Sequence, residues 1–405
     1  MPRLKANITP EVIKWARKSC HYSIEEAAQK IGRSSTELEA WEEGESKPSI
    51  AQARKASEVY KRPLAVFFLP QPPKDFSTLR DFRKLPADVP REYSPNLVFL
   101  IRLIQERQSW LSGYLRDEGF SPVEFIGSAS VKVNSVKLAS QIRNALGVNQ
   151  DKIRKCRSRG DALRLWVDAT ENMGVFVFQS GNMQYEKIAV EEARGFALTE
   201  QYAPFVFLNY QDAKVAQIFT LAHELAHLWI NEPGVSNLAP RGRTLKGAGE
   251  IEVFCNYVAA EVILPQSEFL EYWRDLDRSD ILEDRIDNSS KHFKVSKEVI
   301  ARRLLNQRII SQNKYIELAE RFYREWLEYK KKEKRRMAES KSIPHPYRTK
   351  LINNGRAFSR VVLGAFQGGR LSGRDMSHLL GIKINKISKY AEFAGMKISS
   401  GRINT

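Results

Sequence analysis

Cysteine is scarce in this chain, with three in 405 residues at Cys20, Cys156 and Cys255. An odd, widely spaced set builds neither a disulfide framework nor a Cys-x-x-Cys metal clip, and it suits a reducing compartment. Long apolar runs are absent, so no segment reaches the roughly 20 residues that span a bilayer. The opening Met-Pro-Arg-Leu-Lys-Ala-Asn has no apolar core of a secretion signal. Gly-rich phosphate loops, Ser-His-Asp arrangements and tandem repeats are also not evident. These absences point to a cytoplasmic protein and away from membrane, secreted and nucleotide-fold classes.

What is present is a globular composition, 42% hydrophobic and 28% charged, on a chain long enough for two or three domains. The net charge of +17 is unevenly placed. From Lys330 onward, 18 Lys/Arg stand against Glu333, Glu339, Asp375 and Glu392, a balance of +14, which leaves about +3 for everything before. Such a basic tail suits nucleic acid or an acidic protein partner.

The most specific signal is Leu221-Ala-His-Glu-Leu-Ala-His-Leu-Trp-Ile230. On a helix, positions i and i+4 lie one above the other, so His223 and His227 face the same way and can grip one Zn²⁺. Glu224 between them reaches a metal-coordinated water as general base and then general acid. Apolar residues surround the triplet, which predicts a buried helix where two imidazoles and a carboxylate need a task. A lone buried histidine is more often a satisfied core residue; two at this spacing reverse that reading.

Zinc hydrolysis needs a third protein ligand and an open position. No histidine follows closely; His292 lies in a different kind of segment. The helix expected from Gly249 to Pro265 carries three carboxylates. Glu252 shares a face with Asn256, Ala259 and Ile263, a stripe that packs inward, and is assigned as the third ligand. Glu250 and Glu261 fall on other faces, as solvated helix charges. Asn256 is placed to hydrogen-bond a ligating imidazole and fix its tautomer. Cys255 reads as a small buried hydrophobe. Tyr257, Arg241 and Arg243 are candidates for stabilising the oxyanion. The ligand spacing favours peptide hydrolysis over deaminase chemistry, which uses cysteine pairs absent here.

Several pieces in order resemble the ImmA/IrrE metallopeptidases fused to an N-terminal Xre-type helix-turn-helix. They are Arg194-Gly-Phe196, the strand at 204–209, Phe219 to His227, Glu252 to Asn256 with the Ala-Ala-Glu-Val-Ile-Leu-Pro265 ending, and the segment 293–300. Ala226 stands where that family usually has glycine. The resemblance implies a zinc-dependent, site-specific protease that cuts a repressor or antitoxin, or a regulator in toxin–antitoxin loci.

Two helix-turn-helix candidates compete for double-stranded DNA. The first, within 1–70, has Thr9-Pro10 opening a helix, Gly32 ending another, and Ser34/Ser35 capping a third. Its reading helix carries Glu37, Glu39, Glu42 and Glu43, which phosphate would repel, leaving Arg33 and Lys47 at its rim as contacts. The second lies at 371–396. Ser372 caps a short helix, Gly381 stops it, and a further helix starting near Asn385 carries Lys383, Lys386 and Lys389. Residues 330–336 continue a helix as a charged connector, and Pro344-His-Pro346 breaks it.

The expected architecture is α+β and mostly helical. Its parts are a helix-turn-helix at 1–70, a linker and helical segment at 71–160, a zincin-like metallopeptidase at 161–330 and a basic helical domain at 331–405. Helices are expected at 96–115, 136–146 and 163–173, and short strands at 175–178, 187–190, 195–198 and 205–208. An edge strand of this sheet would take a substrate peptide by backbone pairing. The loop 231–249 would rim the cleft. The expected function is a zinc endopeptidase acting as a regulator on a protein partner, with a homodimer allowed. The alternative is a non-proteolytic DNA-binding regulator or antitoxin that grasps a toxin through the same scaffold.

Overall fold

The computed structural model describes residues 4–73, 80–81, 93–180, 182–183, 186–232, 234–236, 249–277, 281–339 and 345–397. The chain divides into two compact units, the first built on residues 1–78 with 85–106 and 183–188, the second on 79–84, 107–182 and 189–405.

The first unit contains α1 (Pro10–Lys18), α2 (Ile24–Ile31), α3 (Ser35–Glu42) and α4 (Ile50–Val59). Its boundaries are chemical. Pro10 opens α1 where a missing N–H costs nothing. Ser23 and Glu26 cap α2 reciprocally, and Gly32 ends it in the left-handed region at φ 77°. Ser34 caps α3 by accepting the Glu37 N–H. Ile13, Leu38, Trp41, Tyr60 and Phe67 close one core. One expectation is corrected here: Glu42 is not part of an acidic reading surface. It is buried, and Arg17 donates to both its oxygens at 2.8 Å across the core. The acids left facing outward on and beside α3 are Glu37, Glu39 and Glu43.

The later elements are β1 (Arg80–Asp81), α5 (Pro95–Asp117), α6 (Ser135–Leu146), α7 (Gln150–Arg154), α8 (Arg159–Asn172), β2 (Phe176–Ser180), β3 (Asn182–Met183), β4 (Glu186–Lys187), β5 (Gly195–Leu198), β6 (Phe205–Asn209), α9 (Lys214–Ile230), β7 (Gly234–Ser236) and α10 (Glu250–Ile263). Then come α11 (Gln266–Asp275), α12 (Leu282–Phe293), α13 (Lys297–Asn306), α14 (Gln312–Glu339), α15 (Pro346–Asn354), α16 (Arg356–Gln367), α17 (Gly373–Leu380) and α18 (Ile387–Ala394). The strand expected at 187–190 is only the tip of β4; Ile188 to Val190 leave the ladder. The protein is α+β and mostly helical. Among the described residues no helix is long and apolar enough to cross a membrane.

Five strands form a mixed sheet in the order β1-β7-β5-β6-β2, with β2 parallel to β6, and β5 antiparallel to both β6 and β7. β6 is buried throughout because it lies between two strands and under helices, which is why Phe205-Val-Phe-Leu reads as a continuous apolar run. α6, α8, α9 and α10 share a core with this sheet and with α11 to α14.

The sheet ends on β1 at one side and on β2 at the other, and the expectation of an edge open to a substrate strand is corrected at β2. β1 already pairs with β7, in parallel, Arg80 opposite Gly234 and Asp81 opposite Val235. At the other edge the α15–α16 junction covers β2. Gly355 sits there at φ 76°, and a Cβ on it would lie 2.6 Å from the Val177 carbonyl oxygen, so only glycine permits the approach. Phe358 of α16 packs against Phe178 and Phe205, with ring centroids 5.4 and 6.1 Å away. Asn354 ties the joint together. It accepts from Arg107 at 3.2 Å and donates to the Leu380 carbonyl at 2.8 Å and to the Tyr390 hydroxyl at 3.2 Å. Residues 346–397 are therefore docked on this five-stranded sheet and belong to its compact unit.

Glu171 lies in this joint and accepts the Ala357 N–H at 3.3 Å. Burial pushes its pKa up to about 7, against the Ala357 hydrogen bond; Asp168 adds to the rise and Arg356 and Arg360 oppose it. The unfolded chain ionises near the ordinary glutamate value, about 4.3. Stability is thus full below that value and falls as pH rises towards 7, where the folded carboxyl finally ionises. Glu171→Gln keeps the acceptor and removes the buried charge. It is expected to raise the melting temperature at pH 8 and to change it much less at pH 5. A lowered melting temperature at pH 8 would contradict this account.

Candidate metal centre

α9 is apolar all round and accordingly enclosed: every residue from Thr220 to Ile230 is buried, against β5, β6, α8 and α10. Its C-terminal end is held from outside. The N–H groups of Gly127 and Ala129 donate to the carbonyls of Leu228 and Trp229, and Phe125 stacks on Trp229 at 3.9 Å.

His223 and His227, one turn apart, point their Nε2 atoms at each other, 3.1 Å apart. Glu252, in the first turn of α10, brings Oε1 to 3.0 Å from His227 Nε2 and Oε2 to 3.4 Å from His223 Nε2. The three ligand atoms lie within 4.8 Å of one another, with both imidazoles at 0% exposure and Glu252 at 5%. Two ring nitrogens at this separation can share only one proton, and the third donor is an anion. One divalent cation among them would satisfy all three, and two imidazoles with a carboxylate are a zinc donor set. The cluster fits a metal.

The electrostatics agree. Burial pushes Glu252 up, but the two histidines outweigh it and hold the carboxyl down to about 2, so Glu252 is an anion. Burial lowers His223 and Glu252 more than restores it; burial also lowers His227, and the neighbouring His223 keeps it down.

Glu224 is fully buried on the same helix. Gly195 of β5 lies against it: a Cβ there would run into the Thr220 methyl, come within 2.9 Å of the Phe207 carbonyl oxygen, and lie 3.2 Å from Glu224 Oε1. β5 is pinned at this point by Asn209, which donates to the Ala193 carbonyl at 2.9 Å, and by the Arg194–Asp212 ion pair at 3.3 Å. Gly195 is a site residue that spacing alone did not single out.

The orientation of His227 also comes from an unexpected source. Its Nδ1 donates to the Glu232 carbonyl at 2.9 Å, which turns the Nε2 lone pair towards His223 and Glu252. Asn231 makes this possible by ending α9 in the left-handed region at φ 55° and turning the chain back. Asn256 acts on His223 by helping to hold its pKa up, yet the buried His223 Nδ1 has no hydrogen-bond partner among the described residues. The tautomer-fixing role expected of Asn256 therefore falls, for His227, to a backbone carbonyl.

Other candidates separate clearly. Glu250 is exposed, as expected of a solvated charge. Glu261 is not solvated: it pairs with Arg303 at 2.9 Å, and Arg303 also donates to the Ala260 and Leu264 carbonyls at the end of α10. Cys255 is buried, which pushes its thiol pKa well up. Tyr257 is 58% exposed and, five residues on from Glu252, points roughly 140° away around the helix. Arg241 and Arg243 lie outside the described residues. Of the DNA candidates, Arg33 is 3.8 Å from Glu37, and Lys47 donates to Asn7 Oδ1 at 2.7 Å. Lys383, Lys386 and Lys389 are exposed at and before the start of α18, which begins at Ile387 after a 3₁₀ turn at 384–386.

Substitutions at two positions test this construction. Gly195→Ala overpacks the contact with Thr220 and Glu224 and is expected to destabilise by about 1–3 kcal/mol in thermal or urea unfolding. Asn231→Val, strained at positive φ, should weaken metal binding about tenfold or more in a chelator competition, while Asn231→Gly retains it. Equal affinity in the two Asn231 variants would remove Glu232 from the account.

No curated protein matches the chain. Residues 180–305, which hold the three residues of the cluster, Glu224 and Gly195, match the family model described as the IrrE N-terminal-like domain, a peptidase family. Residues 13–67 match a helix-turn-helix model. A helix-turn-helix segment followed by a metallopeptidase-like segment in this order matches the arrangement of an ImmA/IrrE-type fusion with an N-terminal Xre-type helix-turn-helix.

Proposed function

We propose that the protein is a zinc-dependent, site-specific endopeptidase that acts as a regulator by cutting one protein partner, a repressor or an antitoxin. The observation that carries this reading is the buried His223–His227–Glu252 cluster with Glu224 enclosed beside it on α9. A scaffold used only for binding has no need of a second buried carboxylate one residue from a ligand. His223, His227 and Glu252 would hold zinc, which would supply Lewis acidity to a water and to the peptide carbonyl.

The rest is done by this chain. His223 and His227 donate neutral nitrogens, and Glu252 supplies the charge that holds a cation. Glu224 takes the proton of the attacking water on a carboxylate oxygen and hands it to the leaving amine. Gly195 lets β5 press on Glu224, so the base does not swing away. All four groups are 0–5% exposed, so a substrate carbonyl reaches them only when their cover opens. That suits an enzyme that waits for one partner and ignores unfolded bulk protein.

Zinc content is expected at about one per chain in the wild type and in Glu224→Gln, and near zero in His223→Ala and Glu252→Ala. In cells of the native host, new protein N-termini should appear with the wild type and vanish with Glu224→Gln, a loss of about 10²-fold or more in cleavage. Zinc bound at full occupancy without any Glu224-dependent N-terminus would overturn the protease and leave a binding regulator.

A further inference from the structure

The α17–α18 pair repeats the plan of α2–α3. Ser372 caps α17 as Ser23 caps α2, and each first turn carries an acid, Asp375 or Glu26. The first helix of each pair ends on a left-handed glycine, Gly381 at φ 61° and Gly32 at φ 77°. Met376, Leu380, Ile387 and Tyr390 are buried where Ala27, Ile31, Leu38 and Trp41 are buried. All seven pairs are separated by the same 349 positions. A short helix, a glycine turn and a second helix locked by this burial pattern form a helix-turn-helix. Residues 346–397 therefore contain a second one, outside both matched family segments.

The two scaffolds differ in charge on the outer face. Lys383, Lys386 and Lys389 stand where the first module has Ser34, Glu37 and Ala40. All three lysines are exposed, and no acid occurs between Ile382 and Ala391. The nearest acid before them, Asp375, is engaged by the Ser372 hydroxyl at 2.6 Å. Over 345–397 ten Lys/Arg stand against two acids. Asn385 and Ser388 lie among the lysines, as hydrogen-bonding groups suited to base edges.

We propose that α17–α18 is a duplex-DNA surface of this protein, with α18 presented to the groove and Lys383, Lys386 and Lys389 on phosphates. Lysines alone would fit any acidic partner; the helix-turn-helix presentation favours DNA. The surface does not depend on the peptidase reading, and it can be tested in protein that cannot cleave.

The test uses the full chain carrying Glu224→Gln and a labelled mixed-sequence duplex of about 30 bp, followed by fluorescence anisotropy from about 50 to 200 mM salt. Affinity should fall steeply with salt. Lys383→Gln/Lys386→Gln/Lys389→Gln should weaken binding about tenfold or more and reduce the salt slope by about 2–3. Lysine-to-arginine changes at the same positions should retain it. Lys132→Gln/Lys137→Gln/Lys155→Gln removes equal charge elsewhere in the same unit and should cost less than about threefold. Unchanged melting temperature and zinc content would show that the folds are intact. The proposal is overturned if the parent binds no duplex at the lowest salt, or if the two triple variants lose affinity alike. It is also overturned if poly-glutamate displaces the probe as well as unlabelled duplex does, which would mark a surface for an acidic protein.

Discussion

Everything in the second unit is arranged around a group of charges kept out of water. Taking an ion into a protein interior costs several kcal/mol unless partners are fixed in place. Here Glu224, Glu252 and two imidazoles lie together beneath an apolar helix layer. The two ligand helices must therefore keep their relative position to a fraction of an ångström, and both are clamped at their C-terminal ends. Arg303 and Arg143 hold the last carbonyls of α10, with Glu261 and Glu268 as their counter-charges. The loop around Phe125 holds α9. In α10 the clamped end lies far from Glu252, whereas in α9 it adjoins His227.

The His223–His227–Glu252 cluster was legible because helix periodicity converts spacing into direction. The i, i+4 histidines need no tertiary information, and Glu252 is the acid on the inward stripe of its helix. The partner of Glu261 was not legible: Arg303 lies 42 positions away, and nothing local separates a solvated glutamate from a clamped one. The same holds for Glu42 and Arg17. Backbone roles were invisible for a different reason. A carbonyl such as that of Glu232 has no residue signature, and its only trace was an asparagine where α9 stops. Gly195 looked like an ordinary strand glycine until the helix it touches was in place.

The basic tail teaches a related lesson. Counting charge found the surface of residues 346–397 but not their attachment, because attachment depends on uncharged contacts: Phe358 among Phe178 and Phe205, Asn354 between Arg107 and Tyr390, and the bare backbone of Gly355 over Val177. The apparent boundary at Pro346 is the first turn of α15, where proline is at home. A break in helical pattern marked a turn in the chain, not the end of a compact body.

This attachment constrains how the terminal module can influence the peptidase. From Gly355 the path to Glu224 runs across hydrogen-bonded strands, β2 to β6 to β5, and ends where Gly195 meets the carboxylate. A ligand on α18 could alter Glu224 only by preferring a second arrangement of α16 on β2. Asn354, Ser359 and Tyr390 are interlocked by hydrogen bonds of 2.7 to 3.2 Å, and the Gly355 backbone has no room to slide over Val177. Close-packed joints of this kind shift between discrete states or not at all. With the joint packed this closely, the C-terminal module is an extension of the unit that holds the cluster. On the proposed function it would carry the metal centre to a place rather than switch it.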